Sequence, residues 1–474
     1  MISTLMFKFN TILLLDKKHI NIFLCLFFLI LFTNCSTPGE SEALKKAKEI
    51  KATFYTEEKE EDEDKPSNPP PKLNKDTALK NYVFFALKNN PALESAFYKW
   101  KAALEVIPQV KAMPDPNFRY GYYIQALHTL EGPLENYFSL SQTFPWYGTL
   151  ALQGSAAFRI AEAERQNFEA EVLNVIYSVK KAYYNYWYLG KSIEIVTRNL
   201  KYLNDTVRFS KTRYETTVYP YTNILKLEIE DELYKNSLET LKEFIPPIRA
   251  QFNYALGRNT TDKIPFPKEV ELPEQNYTQS ELIDLVIRRN PELKSLGFLA
   301  DAENDKIGIA LRRYIPDLTV GVDLTTIHNA AQFNQDPLII TVGMNLPIYF
   351  TKYNAERREA KANKQKYLRS KEDKQNLLLS NLHSAIYNEK DAWGKMMLYK
   401  DSLIPKATKA LELTRESFDT GQSDYNTFID AYRELLDFEL KYALYIMNYS
   451  IAIAKIAELI GPEDIEMKRE VASR

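Results

Sequence analysis

The sequence predicts a mainly α-helical protein with a small β part, and three observations lead to that fold class. Glycine is scarce, at 14 of 474 residues, and long stretches contain neither Gly nor Pro. Short runs in which apolar and polar residues alternate interrupt the helical stretches in two pairs. A series of short motifs also occurs twice in the same order, about 200 residues apart.

The composition narrows the possible functions. A mean hydropathy of −0.37 excludes a polytopic helical membrane protein, and a net charge of −2 argues against a nucleic-acid partner. Four His and two Cys are too few for a zinc ribbon. His128 and His328 fall in corresponding hairpin loops, but two ligands do not make a metal site. Without a phosphate-binding or nucleophile motif, we expect no enzyme, no metal and no cofactor.

Residues 1–34 are typical of a secretory signal peptide. Lys17 and Lys18 precede an apolar run, 20–32, that is too short to span a bilayer. Cys35 follows in a setting that resembles a bacterial lipobox, so we expect Cys35 to become a lipidated, palmitate-bearing N-terminus. The alternative is a signal cleaved elsewhere, with Cys35 incidental. Residues 35–75, which are acidic and Pro-rich, are then a lipid-anchored linker.

The rest of the chain is interpreted as a tandem duplication. We expect a first repeat at 76–261, a linker at 262–278, a second repeat at 279–463 and a tail at 464–474. The recurring motifs are Asn90-Pro91 and Asn290-Pro291, Pro114-Asp115 and Pro316-Asp317, Phe144-Pro145 and Leu346-Pro347, Tyr214-Glu215-Thr216 and Phe418-Asp419-Thr420, and Leu256-Gly257 and Ile460-Gly461.

Each repeat begins with helical sequence. The Asn-Pro steps at Asn90 and Asn290 predict a break in each of these helices. Asp76 and Thr278 are the expected N-cap residues, because short polar side chains accept hydrogen bonds from the first turn of a helix.

Two strands follow in each repeat, at about 115–126 and 135–146 and at about 316–326 and 336–348. Apolar and polar residues alternate along each run, which gives each strand two chemically different faces. The runs have the roughly 9–11 residues that a tilted strand needs to cross hydrocarbon. We therefore predict four antiparallel transmembrane strands per chain; the alternative is a soluble sheet with one buried face.

A very long helix follows each strand pair. From Thr149 to Thr216 no Pro occurs, and apolar residues recur at steps of three and four, as in a coiled-coil seam. Such a helix would be roughly 100 Å long. Turns at 216–220 and 420–424 reverse the chain into return helices. Pro246-Pro247 in the first return helix and Pro405 in the long helix before the second turn are expected to kink or break these helices.

One copy of the chain cannot complete this arrangement. Unpaired strand edges are not tolerated in lipid, and four strands are too few to enclose even a packed interior, which takes about eight. The long helices likewise need partners for their second faces. We therefore predict an obligate oligomer in which a shared β-barrel continues into a long helical tube.

Several motifs carry a resemblance to a known family: Asn90-Pro91 with Pro114-Asp115-Pro116, Ser139 to Trp146, Asn290-Pro291, Gly343 to Pro347, and Phe418-Asp419-Thr420-Gly421. Because these motifs occur in this order, the chain resembles the TolC family of bacterial outer-membrane efflux proteins over roughly residues 76–461. The resemblance implies a homotrimer with a twelve-stranded barrel and an α-barrel of long helices in the periplasm. It also implies a passive exit duct of a tripartite efflux or type I secretion system, with a periplasmic adaptor and an inner-membrane transporter as partners.

The resemblance further suggests where the periplasmic gate lies. In the family, carboxylates just after the second turn narrow the aperture. Aligned on Gly421, these positions fall on Thr427 and Asp430, so only one matches, and Asp424 is the substitute for the other. A ring of like charges selects cations. The alternative is that Asp424 and Asp430 are an N-cap and a solvated helix residue.

The helical turns are the expected adaptor contacts, through Thr217, Tyr219, Pro220, Thr420 and Gly421. Lipidated members of the family exist, which fits Cys35, and the implied location is the bacterial outer membrane. The cargo and the class of pump do not follow from the sequence. The alternative function is a periplasmic coiled-coil scaffold or adaptor lipoprotein without a pore.

Overall fold

The fold is mostly helical with a small antiparallel sheet, which confirms the predicted fold class at that level. A computed structural model describes residues 39–54, 77–125, 127–129, 132–216, 221–268, 270–272, 277–327, 336–420 and 425–461. The predicted signal peptide, Cys35, the acidic and Pro-rich part of the linker and the C-terminal tail lie outside these residues.

The elements follow one another in three stretches. The first contains α1 (Glu40–Phe54), α2 (Leu79–Asn89), α3 (Pro91–Lys111), β1 (Asn117–Tyr122), β2 (His128–Thr129) and β3 (Gly132–Phe144). The second contains α4 (Thr149–Thr216), α5 (Tyr221–Glu243), α6 (Ile245–Ala255), α7 (Gln279–Arg289) and α8 (Pro291–Arg312). The third contains β4 (Leu318–Ile327), β5 (Leu338–Met344), α9 (Phe350–Leu398), a π-helical segment (Tyr399–Leu403), α10 (Ile404–Asp419) and α11 (Tyr425–Ile460).

The chain forms two compact units. The first contains Leu104–Phe158 and Asp305–Ala360, and with them the whole sheet. The second contains Ala47–Ala103, Arg159–Asn304 and the described residues from Lys361 onwards, which are helices and their connections.

Helix α1 lies in the segment that the sequence predicted to be linker. Ala43 on this helix is buried, and Lys111 Nζ donates a hydrogen bond of 2.6 Å to Glu40 Oε2. The acidic run that indicated a linker starts only at Glu57, beyond the end of this helix. The predicted linker therefore began too early, because residues 40–54 form a helix that packs against the protein.

The sheet of the first unit has the strand order β1-β3-β4-β5, with all neighbours antiparallel, and β2 pairs with β3. The register places Phe118, Leu140, Val322 and Ile340 in one row across the four strands. Side chains alternate along a strand, so this row and the rows two residues away share a face.

The long helix and the expected breaks are present. Helix α4 runs without interruption for 68 residues, or roughly 100 Å. The return segment breaks between α5 and α6, where the Pro pair occupies the start of α6. Ahead of Pro405, which lacks a backbone N–H, the π-helical segment interrupts the regular hydrogen bonding. The Asn-Pro steps separate α2 from α3 and α7 from α8.

Helix α11 supplies buried side chains to three hydrophobic clusters within the described part of the second unit. Among the helices in the described ranges, only α11 is long and apolar enough to cross a membrane by length and composition. Its side chains Phe428, Leu436 and Ile456 are buried against other helices. Its apolarity is therefore accounted for by packing within the protein.

The two Asn-Pro steps make the same pair of contacts. Asn290 Oδ1 accepts from Glu292 N at 3.0 Å, and its Nδ2 donates to Leu459 O at 3.0 Å. Asn90 likewise accepts from Ala92 N at 2.9 Å and donates to Ala255 O at 3.3 Å. Each Asn thus caps one helix and binds the last turn of another that is distant in sequence.

A glycine completes each of these junctions. Gly257 and Gly461 have φ of +70° and +88°, a backbone region that favours glycine. A Cβ at Gly257 would lie 2.5 Å from Asn89 O, and one at Gly461 would lie 3.0 Å from Arg289 O. This close approach explains why the Asn-Pro and hydrophobic-Gly motifs recur together in the sequence.

Replacing Asn290 by Ala should lower the free energy of unfolding by about 1–3 kcal/mol, because a cap is lost and the carbonyl of buried Leu459 loses its donor. Asn89→Ala is the matched control, because that exposed side chain makes a local 2.7 Å bond to Phe85 O and no other hydrogen bond to a described residue. The unfolding midpoints of both variants test this. Equal midpoints would contradict the assignment of Asn290 as a junction residue.

Helices α7 and α2, which precede the two Asn-Pro steps, differ in how their N-termini are capped. Thr278 caps α7 as predicted: its Oγ1 accepts from Glu281 N at 3.4 Å, and Glu281 Oε2 accepts from Thr278 N at 2.7 Å. These hydrogen bonds lower the pKa of Glu281. Helix α2 has Ala78 at its N-cap and no side-chain cap. The predicted cap, Asp76, lies outside the described residues.

Candidate functional site

The sheet has one apolar face that the chain leaves exposed. The row of Phe118, Leu140, Val322 and Ile340 belongs to it, and Val342 on the same face is 67 % exposed. A soluble sheet normally buries such a face against a core. Large exposed apolar patches mark contact with another protein or with a membrane.

The opposite face is polar and its side chains bond to one another. Tyr137 Oη donates to Asp323 Oδ1 at 2.8 Å, and the hydroxyls of Thr143 and Thr319 lie 3.0 Å apart. Asp323 is 8 % exposed because its neighbours on the adjacent strands cover it. This face can therefore line water, while the other face cannot.

The sheet is open at both edges. Within the described strands, β1 pairs only with β3 and β5 pairs only with β4. Each edge therefore presents a row of backbone donors and acceptors that other strands could use.

Aromatic side chains follow the ends of β3 and β5, which point in the same direction. Tyr147 is 93 % exposed, and Trp146, Tyr349 and Phe350 are each about half exposed or more. In transmembrane barrels, exposed aromatic residues near the strand ends mark the interface between hydrocarbon and water. The sequence analysis did not identify these aromatic residues, although Trp146-Tyr147 begins two residues after β3 and Tyr349-Phe350 begins five residues after β5.

The second candidate region lies where α5 and α11 begin, next in sequence to the two predicted turns. Thr420 ends α10, where its Oγ1 donates to Glu416 O at 3.0 Å. Thr427 and Asp430 are exposed, one helical turn apart on α11. The other predicted turn and gate residues, Thr217, Tyr219, Pro220, Gly421 and Asp424, lie outside the described residues.

An ion pair joins α5 to α11 in this region. Glu230 is 5 % exposed, and both its carboxylate oxygens accept hydrogen bonds from the guanidinium of Arg433; the Nε–Oε2 distance is 3.2 Å. The bond to Glu230 raises the pKa of Arg433. Arg433 also lies 3.6 Å from Asp430, so this predicted gate carboxylate is joined to a bridge that the sequence analysis did not identify.

Further contacts hold the same two helices together. Lys226 Nζ donates to Asn426 Oδ1 at 3.3 Å and lies 5.3 Å from the centre of the Tyr425 ring. Helix α11 also contacts α4 and α10 in this region. Tyr432 Oη donates to Asn199 O on α4 at 2.6 Å, and the Phe428 ring stacks on the Phe418 ring of α10 with the ring centres 5.0 Å apart. Burial raises the pKa of Tyr425 and Tyr234 to about 12, so both hydroxyls stay protonated at neutral pH.

One sequence signal could have revealed the bridge. Buried residues of α5 recur at Ile224, Leu227 and Leu238, and the acid Glu230 occupies the same stripe. A carboxylate in a buried stripe requires a cation or hydrogen-bond donors.

Among the described residues, no group of three His, Cys, Asp or Glu side chains could hold a metal ion.

Comparisons with known proteins agree with this geometry. Residues 282–462 match the family model of outer membrane efflux proteins, a family of channels and not of enzymes. Among curated proteins none matches the chain in sequence.

The fold resembles that of solved outer-membrane channels over most of the chain. OprN matches with a TM-score of 0.69 at 17 % identity, covering 81 % of this chain and 90 % of its own. CusC matches with a TM-score of 0.71 at 16 % identity (82 % and 93 %), and CmeC of Campylobacter jejuni with 0.69 at 16 % (86 % and 93 %). The resemblance to outer-membrane efflux proteins is therefore confirmed, by the family model over residues 282–462 and by the fold over most of the chain.

Proposed function

We propose that this protein is the outer-membrane exit duct of a tripartite efflux or type I secretion system. The observation that carries the proposal is the sheet, which is apolar and exposed on one face, polar on the other and open at both edges. A bilayer can cover the apolar face, water can fill the space beside the polar face, and only other strands can satisfy the edges.

Three copies of the chain would close the sheet. Each copy contributes the four strands β1, β3, β4 and β5, and the resulting twelve exceed the roughly eight that a barrel needs to surround its interior. More strands give a wider barrel, so the polar faces would enclose a water-filled lumen. CusC, to which the fold is similar, is described as forming a transmembrane channel.

The duct is passive in this proposal. Conduction needs only a continuous polar path, which the polar faces of the strands would provide. Energy would come from an inner-membrane transporter, and a periplasmic adaptor would contact the two helical turns. The gate would lie beside them, with Asp430, Thr427 and Asp424 as its candidate residues.

Two further features complete the proposal. The paired contacts of Asn90 and Asn290 support a tandem duplication, because both join an Asn-Pro step to a hydrophobic-Gly helix end. Cys35 would carry the lipid that holds the N-terminus at the outer membrane. Cys35→Ala should abolish incorporation of labelled palmitate, and unchanged labelling would refute the lipid anchor.

Extraction behaviour separates the duct from its alternative, a periplasmic scaffold without a pore. The duct should leave membranes only in detergent, should migrate as a trimer that heat dissociates, and should conduct ions in a planar bilayer. A protein that salt alone releases, and that gives no conductance, would support the scaffold.

A further inference from the structure

Four helices adjoin the sheet at one of its ends. Helices α3 and α8 lead into β1 and β4, whereas α4 and α9 follow β3 and β5. Because neighbouring strands are antiparallel, all four connections lie at the same end. This end is called the helical end of the sheet, and it comprises residues 111–117, 144–149, 312–318 and 344–353, all within the first unit.

The helical end presents apolar side chains beyond the strands themselves. Leu346 and Ile348 follow β5 and are both exposed, as are the aromatic residues described above. Tyr314 joins two of the connections: its ring centre lies 6.2 Å from that of Phe350, and its Oη donates to Asn354 Oδ1 at 2.8 Å. The connections before β4 and after β5 therefore lie side by side and form an apolar surface that lipid chains can cover.

Two exposed cations border this apolar surface. Arg313 directly precedes Tyr314, and Lys352 lies two residues after Phe350. Neither Arg313 nor Lys352 makes an ion pair with a described residue. Lysine and arginine at the edge of an apolar surface keep their charged groups in water, where lipid phosphates lie when the apolar surface is in hydrocarbon. Both side chains are therefore available to a phosphate.

The other charged groups of the helical end leave its net charge positive. Lys111 is paired with Glu40 of α1, and Arg312 donates to backbone carbonyl oxygens. Asp317 Oδ1 accepts a backbone hydrogen bond of 3.0 Å, while the exposed carboxylate of Asp115 opposes an anion. The four connections thus contain four cations and two acids, and the excess of cations remains when Glu40 is included.

The connections at the opposite end of the sheet have the reverse charge. Residues 123–136 and 325–337 include Glu131, Glu135 and Asp336 and contain neither Lys nor Arg. Carboxylates repel an anionic head group, whereas lysine and arginine near a membrane surface attract it. The two ends of the same sheet therefore differ in the head group that each can accept.

We propose that the helical end of the sheet binds anionic phospholipids, with the phosphate at Arg313 and Lys352. The acyl chains would lie against Leu346, Ile348 and Phe350. A zwitterionic lipid has the same phosphate, but its own cation would repel the two cations of the protein, so the net anion is preferred. The inference rests on the proposed duct, since the sheet must cross a membrane; the lipids would then belong to the periplasmic leaflet.

Quenching of tryptophan fluorescence by brominated lipids detects the lipids at this end. Trp146 is exposed at the helical end, Trp100 and Trp187 are buried, and Trp393 lies roughly 65 Å from Phe350 along α9. The full-length chain would be placed in phosphatidylcholine nanodiscs that contain equal mole fractions of brominated phosphatidylglycerol or brominated phosphatidylcholine. The difference between the unmodified protein and its Trp146→Phe variant isolates the quenching of Trp146.

Phosphatidylglycerol should associate with the site at least about fivefold more strongly than phosphatidylcholine, because each cation near a membrane surface contributes about that factor. The preference should weaken at high salt, which screens exposed charges. Equal quenching by the two lipids would overturn this inference and leave the duct intact. Absence of quenching by either lipid would overturn both, since Trp146 would not lie at a membrane.

Variants place the preference at the two cations. Arg313→Gln combined with Lys352→Gln should abolish it, and Lys366→Gln, roughly 21 Å further along α9 than Lys352, should leave it unchanged. Asp115→Asn should strengthen the preference a few-fold, since it removes the opposing charge. If the double variant still prefers phosphatidylglycerol, another part of the protein recognises the lipid and the assignment is wrong.

Discussion

Replacing Ile340 by Lys should prevent assembly of the protein in the outer membrane. Ile340 is 63 % exposed in the row of Phe118, Leu140 and Val322 on the apolar face. A lysine on the lipid face of a barrel costs about 2–4 kcal/mol at the bilayer midplane. In a trimer the same change occurs in every copy, so the total cost is roughly three times larger.

Ile339→Lys is the matched control, because it makes the same change one residue earlier on the same strand. Ile339 lies on the polar face, directly opposite Asp323 on β4, and a lysine there would meet water and a carboxylate. We expect near-normal amounts of Ile339→Lys and strongly reduced amounts of Ile340→Lys in detergent-extracted outer membranes. If both variants assemble equally well, the apolar face does not contact lipid.

Replacing Arg433 by Leu should destabilise the junction between α5 and α11 and loosen the proposed gate. The substitution leaves the carboxylate of buried Glu230 without its cation. Breaking a buried ion pair costs roughly 3–5 kcal/mol, but Arg433 itself is 51 % exposed, so we expect about 1–2 kcal/mol. The unfolding midpoint should fall, and the conductance of the closed channel should rise.

Two further variants separate the ion pair from a general effect of substitution. Asp430→Ala removes only an exposed carboxylate 3.6 Å from Arg433 and should change stability by less than about 1 kcal/mol. Glu230→Gln combined with Arg433→Leu should recover part of the loss, because the unpaired charge is gone. A double variant as unstable as the sum of its single changes would show that the pair is not coupled.

The sequence predicted the elements because their signals are local. Alternation along β4 and β5 reflects the two faces of the sheet, and the Pro residues before and within the return helices coincide with observed breaks. Thr278 was identified as an N-cap because a short polar side chain directly before a helical segment is a local signal. Helix α1 was missed, since its few buried residues are small alanines next to a strongly charged run.

The contacts between distant segments could not be predicted in the same way. Glu230 and Arg433 are separated by 203 residues, and nothing local to either identifies the partner. Most of the predicted turn residues lie outside the described residues, so the assignments of Asp424, Gly421, Thr217, Tyr219 and Pro220 stay predictions.

The central claim is that strands of different copies close the sheet, and disulfide trapping tests it most directly. The cysteines of the chain, Cys25 and Cys35, both precede the described residues. Phe118→Cys on β1 would be combined in turn with Leu338→Cys, Ile340→Cys, Val342→Cys or Met344→Cys on β5, to cover the possible registers. Within one chain two strands separate β1 from β5, about 14 Å at the usual spacing, which is too far for a disulfide.

Oxidation of intact outer membranes should therefore convert at least one of these variants into a covalent trimer that reducing agent dissociates. The single-cysteine variants should remain monomeric on the denaturing gel. If every double variant stays monomeric, the edges of β1 and β5 do not meet between copies, and the shared barrel is contradicted.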